Sequence, residues 1–201
     1  MYQLRNYEQF EVHYGELKNY TATKSNLWKN IYEWLDSIIF ALIAIFILFT
    51  FFFRIVGVSG PSMKPTLQNK DWLAVSGITT DVKRGDIVVV TQPNKLNEPL
   101  IKRVIAVGGD IVDINFADGT VSINGISIDE PYIAEPTNRS FDIAFPVTVP
   151  DGCIFVMGDN RNDSLDSRSS IVGFIDKRFV LGKAEFRFYP FGEWKIDSNG
   201  K

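Results

Sequence analysis

From Ile38 to Phe53 the chain is apolar at every position except Thr50. Ser37 on one side and Ile55 to Val58 on the other stretch the run to about the 20 residues that cross a hydrocarbon core. Arg54 interrupts it near the far end, where a long cationic side chain can snorkel to headgroups. Such a run is a buried core helix, a cleavable export leader or a retained span. Nothing later in the chain offers a helical bundle to bury it. The apolar region of a cleavable leader would start much nearer the N-terminus than residue 37. Residues 37–58 therefore read as a transmembrane anchor, separating a leader, 1–36, from a larger C-terminal part, 59–201.

The leader mixes charges with the aromatics Tyr2, Tyr7, Phe10, Tyr14 and Tyr20, and has no Arg-rich secretory n-region. Helical spacing puts Leu27, Ile31, Trp34 and Leu35 on one face, with Trp28 and Trp34 where an interfacial aromatic belt would lie. Lys18, Lys24 and Lys29 precede the span, while Arg54, Lys64 and Lys70 follow it. The positive-inside count is balanced and leaves orientation open.

Composition narrows the chemistry. A net charge of −3 removes the electrostatic case for a nucleic-acid partner. Cys153 is the only cysteine and His13 the only histidine, so neither an internal disulfide nor a Cys/His zinc site is expected. No cofactor is expected either. A Ser-His-Asp triad would need His13, and among the other bases lysine is the one that burial can tune.

After the anchor, short β runs alternate with turns. Candidate strands are Trp72–Val75, Gly85–Val90, Leu100–Val107, Ile111–Phe116, Val121–Ile123, Ile126–Ile128, Cys153–Met157 and Val180–Phe188. Asp118-Gly119 and Asn124-Gly125 are hairpin dipeptides, and Cys153 is expected in the core. Polar connections are expected at 94–99 and 131–146. The expected fold class is mainly β, an antiparallel sheet domain behind one N-terminal transmembrane helix. The sequons at Asn138 and Asn162 read as chance triplets.

Three stretches carry candidate chemistry. In Ser59-Gly60-Pro61-Ser62-Met63-Lys64-Pro65-Thr66-Leu67, Gly and Pro hold one serine on a bent loop. Lys102 lies in an aliphatic strand, sharing a face with Leu100, Val104 and Ala106, while Arg103 points the other way. A lysine so placed loses solvation and becomes a usable base. Gly158 to Arg168 is dense in side chains that bond their own backbone. Taken singly, each has a plainer explanation: a turn serine, a snorkelling edge lysine, a solvated loop.

Together, Ser59–Leu67, Gly85–Val90, Lys102–Asp110 and Gly158–Arg168 resemble the four ordered sequence boxes of type I signal peptidases. Asn124-Gly125 followed by Glu130-Pro131-Tyr132-Ile133 is also similar to that family. The resemblance implies a membrane-bound serine endopeptidase that removes N-terminal signal peptides through an acyl-enzyme. Ser62 would be the nucleophile, Lys102 the general base, and Ser164 the residue that hydrogen-bonds and orients the lysine. Arg103, Asp159, Asp166 and Arg168 would brace the site by ion pairs. Some members carry a hydroxyl two positions before the nucleophile to help hold the oxyanion. Here that position is Gly60, which leaves Ser59 as a candidate helper.

The partners implied are preprotein signal peptides with small residues at the cleavage site, the lipid bilayer and a nearby secretion translocase. The implied location is a bacterial plasma membrane or its equivalent, single-pass, with the leader cytoplasmic and the catalytic domain extracytoplasmic. Two alternatives stand beside this reading: an organellar inner-membrane processing peptidase of the same superfamily, and a non-catalytic anchored β module.

Overall fold

The computed structural model describes residues 29–47, 53–77, 81–91, 98–192 and 196. The chain divides into two compact units, with the boundary between Phe49 and Thr50. The leader up to residue 28, with His13 and Trp28, lies outside the described residues, as do 94–97 of the first polar connection.

In the first unit, helix α1 (Lys29–Ile47) is long and apolar enough to cross a membrane. All of its side chains are exposed. Of the anchor expected over 37–58, residues 48–52 lie outside the described residues. The helix already runs from Lys29, and Phe53–Gly57 form a strand, β1, instead of continuing the span.

β1 pairs residue by residue with β2 (Trp72–Ser76), Phe53 opposite Ser76 and Gly57 opposite Trp72. β-branched Ile55 and Val56 suit that ladder. Val56 packs against a core cluster while Arg54 stays exposed. The one charge of the run, Arg54, falls inside the strand, so hydropathy does not mark where helix gives way to strand.

The second unit is wholly antiparallel in its pairings, as expected. Besides β1 and β2 it contains β3 (Ile87–Val90), β4 (Leu100–Val107), β5 (Ile111–Asn115), β6 (Thr120–Ile123) and β7 (Ile126–Ser127). β8 (Val147–Thr148), β9 (Cys153–Met157), β10 (Ile175–Asp176) and β11 (Val180–Tyr189) follow. One sheet runs β1-β2-β11-β3-β4-β9-β10 and a smaller one β7-β6-β5-β8. The Asn124-Gly125 turn joins β6 to β7 with both residues at positive φ, as a tight hairpin requires.

Strand β3 is buried on both faces, which explains its unbroken apolar run. Ile87 and Val89 join Met63, Leu67, Leu73 and Val75 on one side. Val88 and Val90 join Val104, Val156 and Ile175 on the other. A third cluster brings Ile105, Phe155 and Met157 of the large sheet together with Val112, Ile114 and Val121 of the small one. Lys102 sits opposite Val88, on the face shared with Leu100 and Val104. Ala106 departs from the expected face. A register shift between Val104 and Ala106 turns it into the third cluster. Cys153 is half-buried at the edge of that cluster instead of fully enclosed.

Candidate active site

The loop carrying Ser62 is fastened from below. Met63 and Leu67 are buried beside Val58, and each contributes roughly 1.5–3 kcal/mol by leaving water. The Leu67 N–H donates to the Met63 carbonyl at 2.9 Å and the Lys64 N–H to the Pro61 carbonyl at 3.1 Å. One turn of helix-like backbone thus keeps two apolar residues down and leaves Ser62 half-exposed above them. Gly60 enters this turn at φ +89°, a conformation that L side chains rarely adopt. A hydroxyl residue at position 60 would strain the loop, which accounts for the glycine there. Ser59, just before it, is exposed.

Lys102 reaches this loop from β4. Its Nζ lies 2.7 Å from Ser62 Oγ and donates to its neighbour's carbonyl, Ile101 O, at 3.1 Å. The side chain is 3 % exposed. Burial pushes its pKa from the ordinary 10.5 down to about 8, against the pull of Asp166 and Asp159 and with the help of Arg168. The amine is therefore close to the hydroxyl and is neutral far more often than a surface lysine.

Three buried arginines hold the surroundings. Arg103 makes a two-pronged pair with Asp159, Nε to Oδ1 at 2.8 Å and Nη2 to Oδ2 at 2.7 Å, and donates to Gly85 O at 2.9 Å. The Thr66 hydroxyl donates to Asp159 Oδ2 at 2.5 Å, tying the serine loop to that pair. Arg168 grips Asp166 at 2.8 and 2.9 Å and donates to Arg161 O at 2.6 Å. Asp166 also accepts the Gly158 N–H at 3.0 Å. Arg161 pairs with Glu130 and donates to Thr137 Oγ1 at 2.8 Å and Gly158 O at 3.1 Å. Each of these three guanidiniums is matched by a carboxylate, as a water-poor site demands.

Ser62, Lys102, Arg103, Asp159, Asp166 and Arg168 thus come together in one place. Ser164, expected to orient the lysine, is buried and lies against Gly158, and among the described residues its hydroxyl makes no hydrogen bond to Lys102 or to any other group. Thr66, Asn160, Arg161, Glu130 and Tyr132 received no role from the sequence. Arg161 carried a signal in its place inside the dense 158–168 loop, but its partner Glu130 lies 31 residues away. Tyr132 lies face-on to Arg103, 3.9 Å from the guanidinium carbon to the ring centroid, and burial raises its phenol pKa. Asn162, the second sequon, spends its amide on Glu135 and the carbonyl of Pro136, at 3.0 and 3.2 Å.

The chain is similar to known proteins over most of its length. The family model for signal peptidase, peptidase S26, matches residues 31–189. A signal peptidase I of Bacillus licheniformis is 39 % identical over 184 residues, 86 % of this chain and 97 % of that protein. A signal peptidase IB of Staphylococcus aureus is 35 % identical over 85 % of this chain and 96 % of its own length. The crystal structure of a signal peptidase I from Enterococcus faecalis matches at 33 % identity, covering 52 % of this chain and 97 % of that one, with a TM-score of 0.43. The chain belongs to the signal peptidase family, peptidase S26.

Proposed function

We propose that Ser62 and Lys102 are the nucleophile and general base with which this signal-peptide-removing serine peptidase works. The observation that carries the reading is the 2.7 Å separation of Lys102 Nζ and Ser62 Oγ inside a buried setting. Neutral Lys102 takes the hydroxyl proton as Ser62 attacks the carbonyl after a small residue of the preprotein. The tetrahedral oxyanion rests on the Ser62 N–H, with the Ser59 hydroxyl as the candidate second donor. Lys102 then protonates the leaving amine. Water attacks the acyl-enzyme with Lys102 again as base, and Ser62 is restored.

The substrate binds extended. Strand β9 pairs with β4 only from Arg103 onward, so Leu100–Lys102 lack a neighbour on that side among the described residues. A preprotein segment laid there adds a strand beside Ser62. The α1 helix tethers the enzyme in the bilayer, single-pass in a plasma membrane, with the β unit on the extracytoplasmic side near the secretion translocase. Tethering raises the effective concentration of emerging signal peptides.

The test is cleavage of one secretory precursor by the full chain and by its Ser62→Ala and Lys102→Ala forms. Both variants are expected to fold and to lose cleavage. Cleavage at the normal rate by either one sinks the dyad. For location, protease added outside spheroplasts should digest the β unit, and protection of that unit would reverse the orientation.

A further inference from the structure

Asn160 does more than occupy the loop after Asp159. Its backbone N–H donates to the Ser62 carbonyl at 3.0 Å, and its side-chain Nδ2 donates to the Pro61 carbonyl at 3.2 Å. The Pro61 carbonyl and the Ser62 N–H belong to one peptide unit, which is not among the cis bonds of this chain. In a trans unit the two groups lie in one plane and point in opposite directions. Whatever holds the Pro61 carbonyl therefore also aims the Ser62 N–H.

That N–H is the donor the proposed mechanism needs for the oxyanion. A donor of this kind works by being aimed in advance, and losing one altogether costs about 10²–10³ in kcat. The Pro61 carbonyl accepts from Lys64 N–H as well, but that bond lies inside the same turn and moves with it. Asn160 is the outside anchor. It stands on a separate loop that the Asp159–Arg103 pair fixes to the sheet. Gly158 allows the approach, since a Cβ there would meet Ser62 O at 2.4 Å.

We infer that Asn160 is a positioning residue that orients the oxyanion-binding N–H of Ser62 by holding the carbonyl of Pro61. This rests on Ser62 being the nucleophile. It predicts a defect confined to the transition state, because the ground-state peptide makes no demand on that N–H.

The experiment compares Asn160→Leu, close in shape but without a donor, and Asn160→Ala with the parent full-length chain in detergent. The substrate is a peptide spanning one signal-peptide cleavage site. Expected are a fall in kcat of about tenfold or more, a KM within about twofold, and an unmoved lysine limb in the pH profile. Thermal melting shows which variants are folded, and kinetics are taken from those. Unchanged kcat overturns the inference, as does a loss that appears in KM or shifts the lysine limb. If both variants fail to fold, the side chain is structural and the inference is also overturned. Ser62→Ala run alongside separates the two claims. If it still cleaves, the dyad reading falls; if it is dead while Asn160→Leu is fully active, only the role of Asn160 falls.

Discussion

Lys102 Nζ stands 2.7 Å from Ser62 Oγ, although 40 positions separate the two residues. Proximity alone would not make the amine a base, because a surface lysine is almost wholly charged at neutral pH. With its pKa pushed to about 8, roughly one tenth of Lys102 is neutral at pH 7. We expect kcat/KM to rise about tenfold per pH unit below 8 and to level off above it. A plot of kcat/KM between pH 5 and 10 checks this, and a flat profile through 8 contradicts it.

The same shift has a cost in stability. Lys102 holds its proton less tightly in the folded chain, near 8, than in the unfolded chain, near 10.5. Below pH 8 both states are charged, and the folded state bears the whole cost of an ammonium out of water. Between the two values the unfolded state binds more protons, so stability rises with pH. The gap corresponds to roughly 3 kcal/mol. Lys102→Met should therefore be inactive yet more stable at pH 7 by up to about 3 kcal/mol, with the advantage fading towards pH 10.5. Urea unfolding of both proteins at pH 7 and pH 10 gives the answer.

The Arg103–Asp159 pair carries a different expectation. Both side chains are fully buried, and among the described residues the carboxylate accepts two bonds from Arg103 and one from Thr66. Asp159→Ala leaves a guanidinium without its counter-charge in a dry site and should cost about 3–5 kcal/mol. Thr66→Val removes one donor of three and should cost about 1 kcal/mol. Equal losses from the two, measured by denaturant melts, would show that the pair does not dominate.

What could be read in advance follows the physics of each feature. β3 and β4 were legible because apolar runs bounded by Gly and Pro signal strands, and Lys102 stood out as a charge within one. The boundary between helix and strand was not, because the apolar run reaches Phe53 and its one charge, Arg54, lies inside the strand. The face of Ala106 was lost to a bulge, since a one-residue irregularity reverses the alternation of a strand without leaving a mark. The Arg161–Glu130–Tyr132 group was out of reach because it joins loops from two sheets, and local sequence holds no record of such pairings.

Gly158 gives the sharpest separation between folding and activity. Its φ is not positive, so its backbone would accept any residue; what excludes a side chain is space. A Cβ built there meets Ser164 Oγ at 2.3 Å, Ser62 O at 2.4 Å and Ser164 Cβ at 2.6 Å. The serine rotamer can turn away, but Ser62 O is backbone and already accepts the Asn160 N–H. Gly158→Ala must therefore shift the backbone at Ser62 or at residue 158 itself, and either shift disturbs the approach of Ser62 to Lys102. A displacement of the order of 1 Å in a reacting group can cost about 10² in rate, whereas a small side chain at one crowded contact costs about 1–3 kcal/mol of stability. We expect Gly158→Ala to remain folded at assay temperature and to lose about a hundredfold or more in kcat. Full activity in a folded Gly158→Ala protein would mean that the loop can shift without separating Ser62 from Lys102.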